Sequence, residues 1–140
     1  MIRIGIVGLG YWGPNLVRCF SDIADCKVTA VCDQDYDQLL RIKDRYPGVY
    51  PMEDFDSLLD RDLVDAVVIA TPTESHHQLA LKALQHDLHV FVEKPLSLTL
   101  DELNEIESSY SPSNILMVGF NRRFAPQVQK IKSLLNNTSA

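Results

Sequence analysis

Ile2-Arg3-Ile4-Gly5-Ile6-Val7-Gly8-Leu9-Gly10-Tyr11-Trp12-Gly13-Pro14-Asn15-Leu16-Val17 sets an apolar β-branched run, three glycines and a helical pattern in direct succession. The run that ends at Val7 has the near-continuous apolar character of a strand buried on both faces. Gly8, Gly10 and Gly13 form a G-x-G-x-x-G turn after it. Pro14 suits the first helical turn beyond, because its missing N–H would have no partner there in any case. Each glycine has a separate task. Gly8 allows the tight turn, Gly10 lets the backbone approach a pyrophosphate, and Gly13 lets helix and strand pack closely. The N–H groups at the start of the helix then meet the phosphates. Asp33 ends the next strand, 20 residues beyond Gly13, where a carboxylate can accept hydrogen bonds from both hydroxyls of an adenosine ribose. This succession predicts a βαβ unit that binds a dinucleotide. A methyltransferase site would want an acid before the glycines, and Ile6-Val7 stand there instead.

Outward from this unit the alternation continues. Short apolar runs at 27–32, 66–70, 89–92 and 115–120, with a weaker one around Val49-Tyr50, read as further strands. Between them 14–21, 38–46, 55–59, 75–85 and 99–108 carry apolar residues at helical spacing, and Thr99-Leu100-Asp101-Glu102 reads as a capping box. The alternation predicts right-handed crossovers and an α/β fold with a doubly wound parallel sheet, a Rossmann fold. A last helix over 126–135 puts Val128, Ile131, Leu134 and Leu135 on one apolar face.

Composition narrows the partners. The 140 residues carry 13 Lys and Arg against 19 Asp and Glu, a formal charge of −6, and 46% are hydrophobic, enough for the core of one domain. This acidic balance gives no electrostatic footprint for nucleic acid or an anionic membrane. No apolar stretch reaches the roughly 18 residues of a membrane span, and the N-terminus lacks a secretory pattern, so a cytoplasmic location is expected. Cys19, Cys26 and Cys32 lack C-x-x-C spacing and are expected to be small buried hydrophobes. No His/Cys/Asp/Glu cluster has metal-ligand spacing, so no metal is expected. The sequons in Asn136-Asn137-Thr138-Ser139 read as a frayed polar terminus.

Cofactor type follows from local charge. A 2′-phosphate would face the Asp33 carboxylate, and Gln34 and Asp35 supply no compensating arginine, so NAD is expected in preference to NADP. Two further motifs sit at carboxyl ends of predicted strands, where ligands of open α/β sheets bind: Thr71-Pro72-Thr73 and Glu93-Lys94-Pro95. The Lys94-Pro95 bond is a candidate cis peptide that aims the lysine. His76 and His77 read as helix-start residues facing water, His86 and His89 as structural, and Trp12 and Phe91 as packing aromatics.

The glycine opening, Thr71-Pro72 with His76, Glu93-Lys94-Pro95 and Gly119-Phe120-Asn121-Arg122-Arg123-Phe124 together resemble the N-terminal domain of the Gfo/Idh/MocA oxidoreductases. The resemblance implies an NAD(P)-linked dehydrogenase or reductase acting on a hydroxyl of a sugar, sugar nucleotide or polyol. It implies that Gly8, Gly10, Tyr11, Trp12 and Gly13 hold the pyrophosphate and Asp33 the adenosine ribose. Thr71, Pro72, His76 and Pro95 would line the cofactor cleft and Glu93 would bind the nicotinamide ribose. Lys94 would stand at the hydride-transfer centre as the catalytic residue, since a lysine can assist movement of the hydroxyl proton. Asn121 and Arg122 would reach toward the nicotinamide or the substrate. On this reading 1–121 is the dinucleotide-binding domain, and 122–140 a helix leading toward a substrate domain that the chain lacks. The family's second domain contributes an Asp and a His to the catalytic site, so the chain alone is expected to bind cofactor with little or no turnover. Homo-oligomer formation stays open. The second reading is a stand-alone NAD(H)-binding regulatory module, or one that docks onto a partner supplying the other half.

Overall fold

The computed structural model describes residues 1–137, so the polar terminus expected at 136–139 lies partly outside the described residues. Strand β1 (Ile2–Val7) leads through the glycine turn into α1 (Gly13–Ser21), then β2 (Cys26–Cys32), α2 (Tyr36–Arg45) and β3 (Tyr50–Met52). The second half runs β4 (Ala66–Ile69), α3 (His76–Gln85), β5 (His89–Val92), α4 (Leu100–Ser109), β6 (Leu116–Val118) and α5 (Pro126–Asn137). All strands are parallel in the order β3-β2-β1-β4-β5-β6, so the chain reverses direction across the sheet between β1 and β4. That is the doubly wound Rossmann arrangement, and its switch point lies beside the glycine turn.

Alternate strand residues feed two cores, because successive side chains point to opposite faces. Ile4, Ile6, Val28, Val31 and Val68 pack with Val17 of α1 and Leu39 and Ile42 of α2 on one face. Val7, Ala30, Val67, Ile69, Val90 and Val92 pack with Ala80, Ala83 and Leu84 of α3 and Ile106 of α4 on the other. At the amino end, Arg3 ties β1 to β4: its N–H and guanidinium both donate to the Asp65 carboxylate, with the closest ion-pair approach at 2.6 Å. That arginine lowers the Asp65 pKa to about 2.

Several boundaries differ from the sequence reading. Residues 55–59 form only a 3-10 turn, Asp56–Leu59, started by the Asp54 carboxylate accepting from the Ser57 N–H at 3.0 Å. Helix α2 begins two residues earlier than its apolar pattern, because Asp35 caps it by accepting from the Asp37 N–H. Strand β6 is shorter than the 115–120 run and only half-buried, as befits an edge strand. The expected capping box of α4 is present, with Thr99 and Glu102 bonding each other's N–H groups. The cysteines correct the expectation: only Cys32 is buried, Cys26 is half-buried and Cys19 is exposed on α1. Burial, with the Asp33 and Asp54 carboxylates nearby, pushes the Cys32 thiol up to about 11. The apolar residues of α5 do not enter either core cluster; Val128 and Ile131 stay exposed, with Phe120 and Phe124 just before them. Among the described residues no helix is long and apolar enough to cross a membrane.

Candidate functional site

The glycine turn is fixed by what a side chain would strike. Gly8 has φ +87, and a Cβ there would lie 2.7 Å from the Ala70 carbonyl oxygen. A Cβ on Gly13 would overlap the Gly8 carbonyl oxygen, so only glycine lets α1 start this close to β1. Gly10 differs from both, since beyond its own chain neighbours no described atom lies within 4 Å of the place its Cβ would take. The turn is held to β2 by the Gly8 N–H donating to the Cys32 carbonyl at 2.9 Å and the Leu9 N–H donating to Asp33 Oδ2 at 2.5 Å. Asp33 Oδ1 accepts from the Asp35 N–H at 2.8 Å. The carboxylate is thereby locked in place, and each oxygen keeps a lone pair for a further donor.

A cleft of about 830 Å³ opens at this carboxyl end of the sheet. It is lined by Gly8, Gly10, Tyr11, Trp12, Asp33, Thr71 and Pro72, all singled out in the sequence. It is also lined by Glu53, Asp54, Phe55 and Glu74, which sequence reasoning missed. Their signal was available in principle, because Glu53 and Asp54 follow β3 and ligands gather at carboxyl ends of strands. The volume is of the size that holds small-molecule cofactors. The open space over Gly10, the pinned Asp33 and the start of α1 together fit a dinucleotide. Trp12 corrects its reading as a packing aromatic: it is 52% exposed and meets Tyr11, 84% exposed, edge to face at 5.3 Å on the cleft rim. Phe91 does pack, against Phe20 at 6.4 Å between ring centroids.

His76 does not line this cleft. Its ring is buried with Nδ1 2.7 Å from the Pro95 carbonyl oxygen and Nε2 2.9 Å from the Thr71 carbonyl oxygen. Carbonyls only accept, so a neutral ring donates to one of them and a protonated ring to both. The histidine thus ties the turn after β4 to the turn after β5. His77 does not face water either: its Nε2 lies 2.9 Å from Glu105 Oε2 and its side chain is largely covered, linking α3 to α4. His89 is structural, its Nδ1 accepting from the Ile115 N–H.

Glu93, Lys94 and Pro95 lie beyond the cleft lining, in the turn after β5, and the Lys94–Pro95 peptide is cis. The Glu93 N–H donates to the Ile69 carbonyl at 2.9 Å, which seats Glu93 beside the carboxyl end of β4. Gly119 brings the third motif against it, since a Cβ there would stand 3.3 Å from Glu93 Oε2. Asn121 and Arg122 follow in the exposed 3-10 turn Asn121–Phe124. The predicted residues therefore form two groups along one edge: a cleft at β1, β2 and β4, and a second set after β5 and β6, with His76 between them. Among the described residues no group of three His, Cys, Asp or Glu side chains is placed to hold a metal ion.

Comparisons with known proteins agree with this geometry. The family model GFO_IDH_MocA, described as an oxidoreductase family with an NAD-binding Rossmann fold, matches residues 2–120. The oxidoreductase YrbE of Bacillus subtilis is 35% identical over 137 residues, 97% of this chain and 40% of that protein. The myo-inositol 2-dehydrogenase of Thermotoga maritima is 34% identical over 137 residues, 97% of this chain and 41% of that one. A crystal structure of scyllo-inositol dehydrogenase from Lactobacillus casei, with bound NAD(H) and scyllo-inositol, superposes with TM-score 0.88 at 31% identity over 98% of this chain and 41% of that one. The chain thus spans about two fifths of the length of the relatives it matches.

Proposed function

Since the chain belongs to the Gfo/Idh/MocA oxidoreductase family, we propose that these 140 residues bind NAD(H) and form the cofactor half of an enzyme that oxidises a hydroxyl of a polyol, sugar or sugar nucleotide. The observation that carries the reading is the empty approach over Gly10 beside the pinned Asp33 carboxylate, at the switch point of the sheet. Inositol dehydrogenases among the similar proteins favour a cyclic polyol within that class. Bound NAD supplies the hydride acceptor. In this reading the glycine turn and the α1 N-terminus take the pyrophosphate, Asp33 accepts from the adenosine ribose hydroxyls, and Thr71 and Pro72 wall the cleft. Glu93 accepts from the second ribose, and Lys94 stands where it can take or stabilise the hydroxyl proton. Asn121 and Arg122 reach toward the substrate from an open surface.

Hydride transfer needs donor and acceptor held in near-attack geometry. Asn121 and Arg122 are exposed and no described residue encloses them, so on this reading these 140 residues by themselves are expected to bind cofactor with little turnover. The test is calorimetric titration with NAD and NADH, repeated on Asp33→Ala, beside an assay for polyol-dependent reduction of NAD. The reading predicts saturable NAD(H) binding, weakened at least about tenfold by the substitution through loss of the charged hydrogen-bond acceptor, and no measurable polyol oxidation. A folded chain that binds neither form would contradict it.

A further inference from the structure

We propose that Glu53 and Asp54, at the carboxyl end of β3, act with Asp33 to bar a 2′-phosphorylated dinucleotide from the cleft, so that Asp33 alone does not set cofactor choice. This rests on the cofactor reading above. The strand register carries it. Cys32 pairs with Met52, and the Asp33 N–H donates to the Met52 carbonyl at 3.2 Å. Asp33 and Glu53 therefore leave the sheet side by side, on strands roughly 4.8 Å apart. Both line the cleft, together with Asp54 and Glu74, and no Lys, Arg or His is among the described lining residues.

The acids differ in how their charge is answered. Asp33 already accepts from two backbone N–H groups. Asp54 accepts from the Ser57 hydroxyl and N–H, both at 3.0 Å, and these bonds, with the Lys82 charge beyond the lining adding to them, hold its carboxyl below the usual range. Glu53 adds a charge beside it with no basic residue in the lining to offset it. A phosphate on the ribose 2′-oxygen carries close to two negative charges at neutral pH. Removing the Asp33 charge leaves that phosphate facing two carboxylates. Each remaining carboxylate repels that added charge, so removing either one favours the phosphorylated ribose.

The experiment is titration of the unaltered chain, Asp33→Ser, and the triple variant Asp33→Ser/Glu53→Gln/Asp54→Asn with NAD and NADP at two ionic strengths, with thermal melts as a folding control. We expect Asp33→Ser to bind NADP poorly, and the triple variant to gain at least about tenfold in NADP affinity at low salt, with the gain shrinking as salt screens the wall. If Asp54→Asn lowers stability through loss of the Ser57 bonds, Asp33→Ser/Glu53→Gln carries the test, with a gain near tenfold. NADP binding by Asp33→Ser as tight as by the triple variant overturns the proposal while leaving the cofactor reading intact. Failure of the unaltered chain to bind NAD overturns both.

Discussion

Gly10 and Gly13 lie three residues apart in one turn, yet their hydrogens face different things. At Gly13 a methyl group would overlap the Gly8 carbonyl, so the constraint is the protein's own packing. At Gly10 a methyl group would meet no described atom beyond its chain neighbours, and its φ is not in the left-handed region, so packing does not explain the glycine. The two positions therefore separate stability from binding. Gly13→Ala is expected to lose about 3 kcal/mol or more, because backbone cannot yield as a flexible side chain would. Gly10→Ala is expected to stay within about 0.5 kcal/mol of the unaltered chain, and to lose at least about tenfold in NAD affinity as its methyl group fills the space of the pyrophosphate. Urea unfolding and calorimetric titration of both variants check this. A Gly10→Ala protein that binds NAD normally would assign the glycine to chance.

At the scale of elements, β1 is joined to β4 by more than the sheet ladder. The Arg3–Asp65 contact caps the amino end, and its pH dependence has a definite sign. Asp65 titrates at about 2 in the fold, against 3.8 for a free side chain. Its contribution is therefore complete above the free value and disappears as pH falls from 3.8 toward 2. Both side chains are more than a third exposed, so solvent screening keeps the contribution small. Urea midpoints of the unaltered chain and Asp65→Asn should differ at pH 6 and converge near pH 2; a constant difference would remove the ion pair as its cause. Elements of this kind were legible in the sequence to different depths. The unit from β1 through α1 to Asp33 was readable because apolar run, glycine turn and acid must follow one another at short spacing. The role of His76 was not, since its acceptors lie five residues before it and nineteen after it, and only the fold brings them together. Glu53 and Asp54 were hidden because β3 has only three residues, one of them Pro51, and gives almost no apolar run. The 3-10 turn at 56–59 shows apolar residues at helical spacing without the length of a helix.

Across the whole molecule, the sheet presents its ligand-binding edge in two parts. One is the cleft around the glycine turn, and the other is the open surface after β5 and β6 that carries Glu93, Lys94, Asn121 and Arg122. A second polar hollow, about 430 Å³, lies at the opposite, amino end between Arg61, Asp65, Asp87 and His89, away from every motif residue. The proposed function puts dinucleotide binding wholly at the carboxyl edge, and an amide-resolved NMR titration of the chain with NAD checks it. It predicts saturable shifts at Gly8, Leu9, Gly10, Trp12 and Asp33, extending through Thr71 toward Glu93, with the residues around Arg61 and Asp87 unmoved. Shifts confined to the amino-end hollow, or no saturable shift in a folded chain, would contradict it.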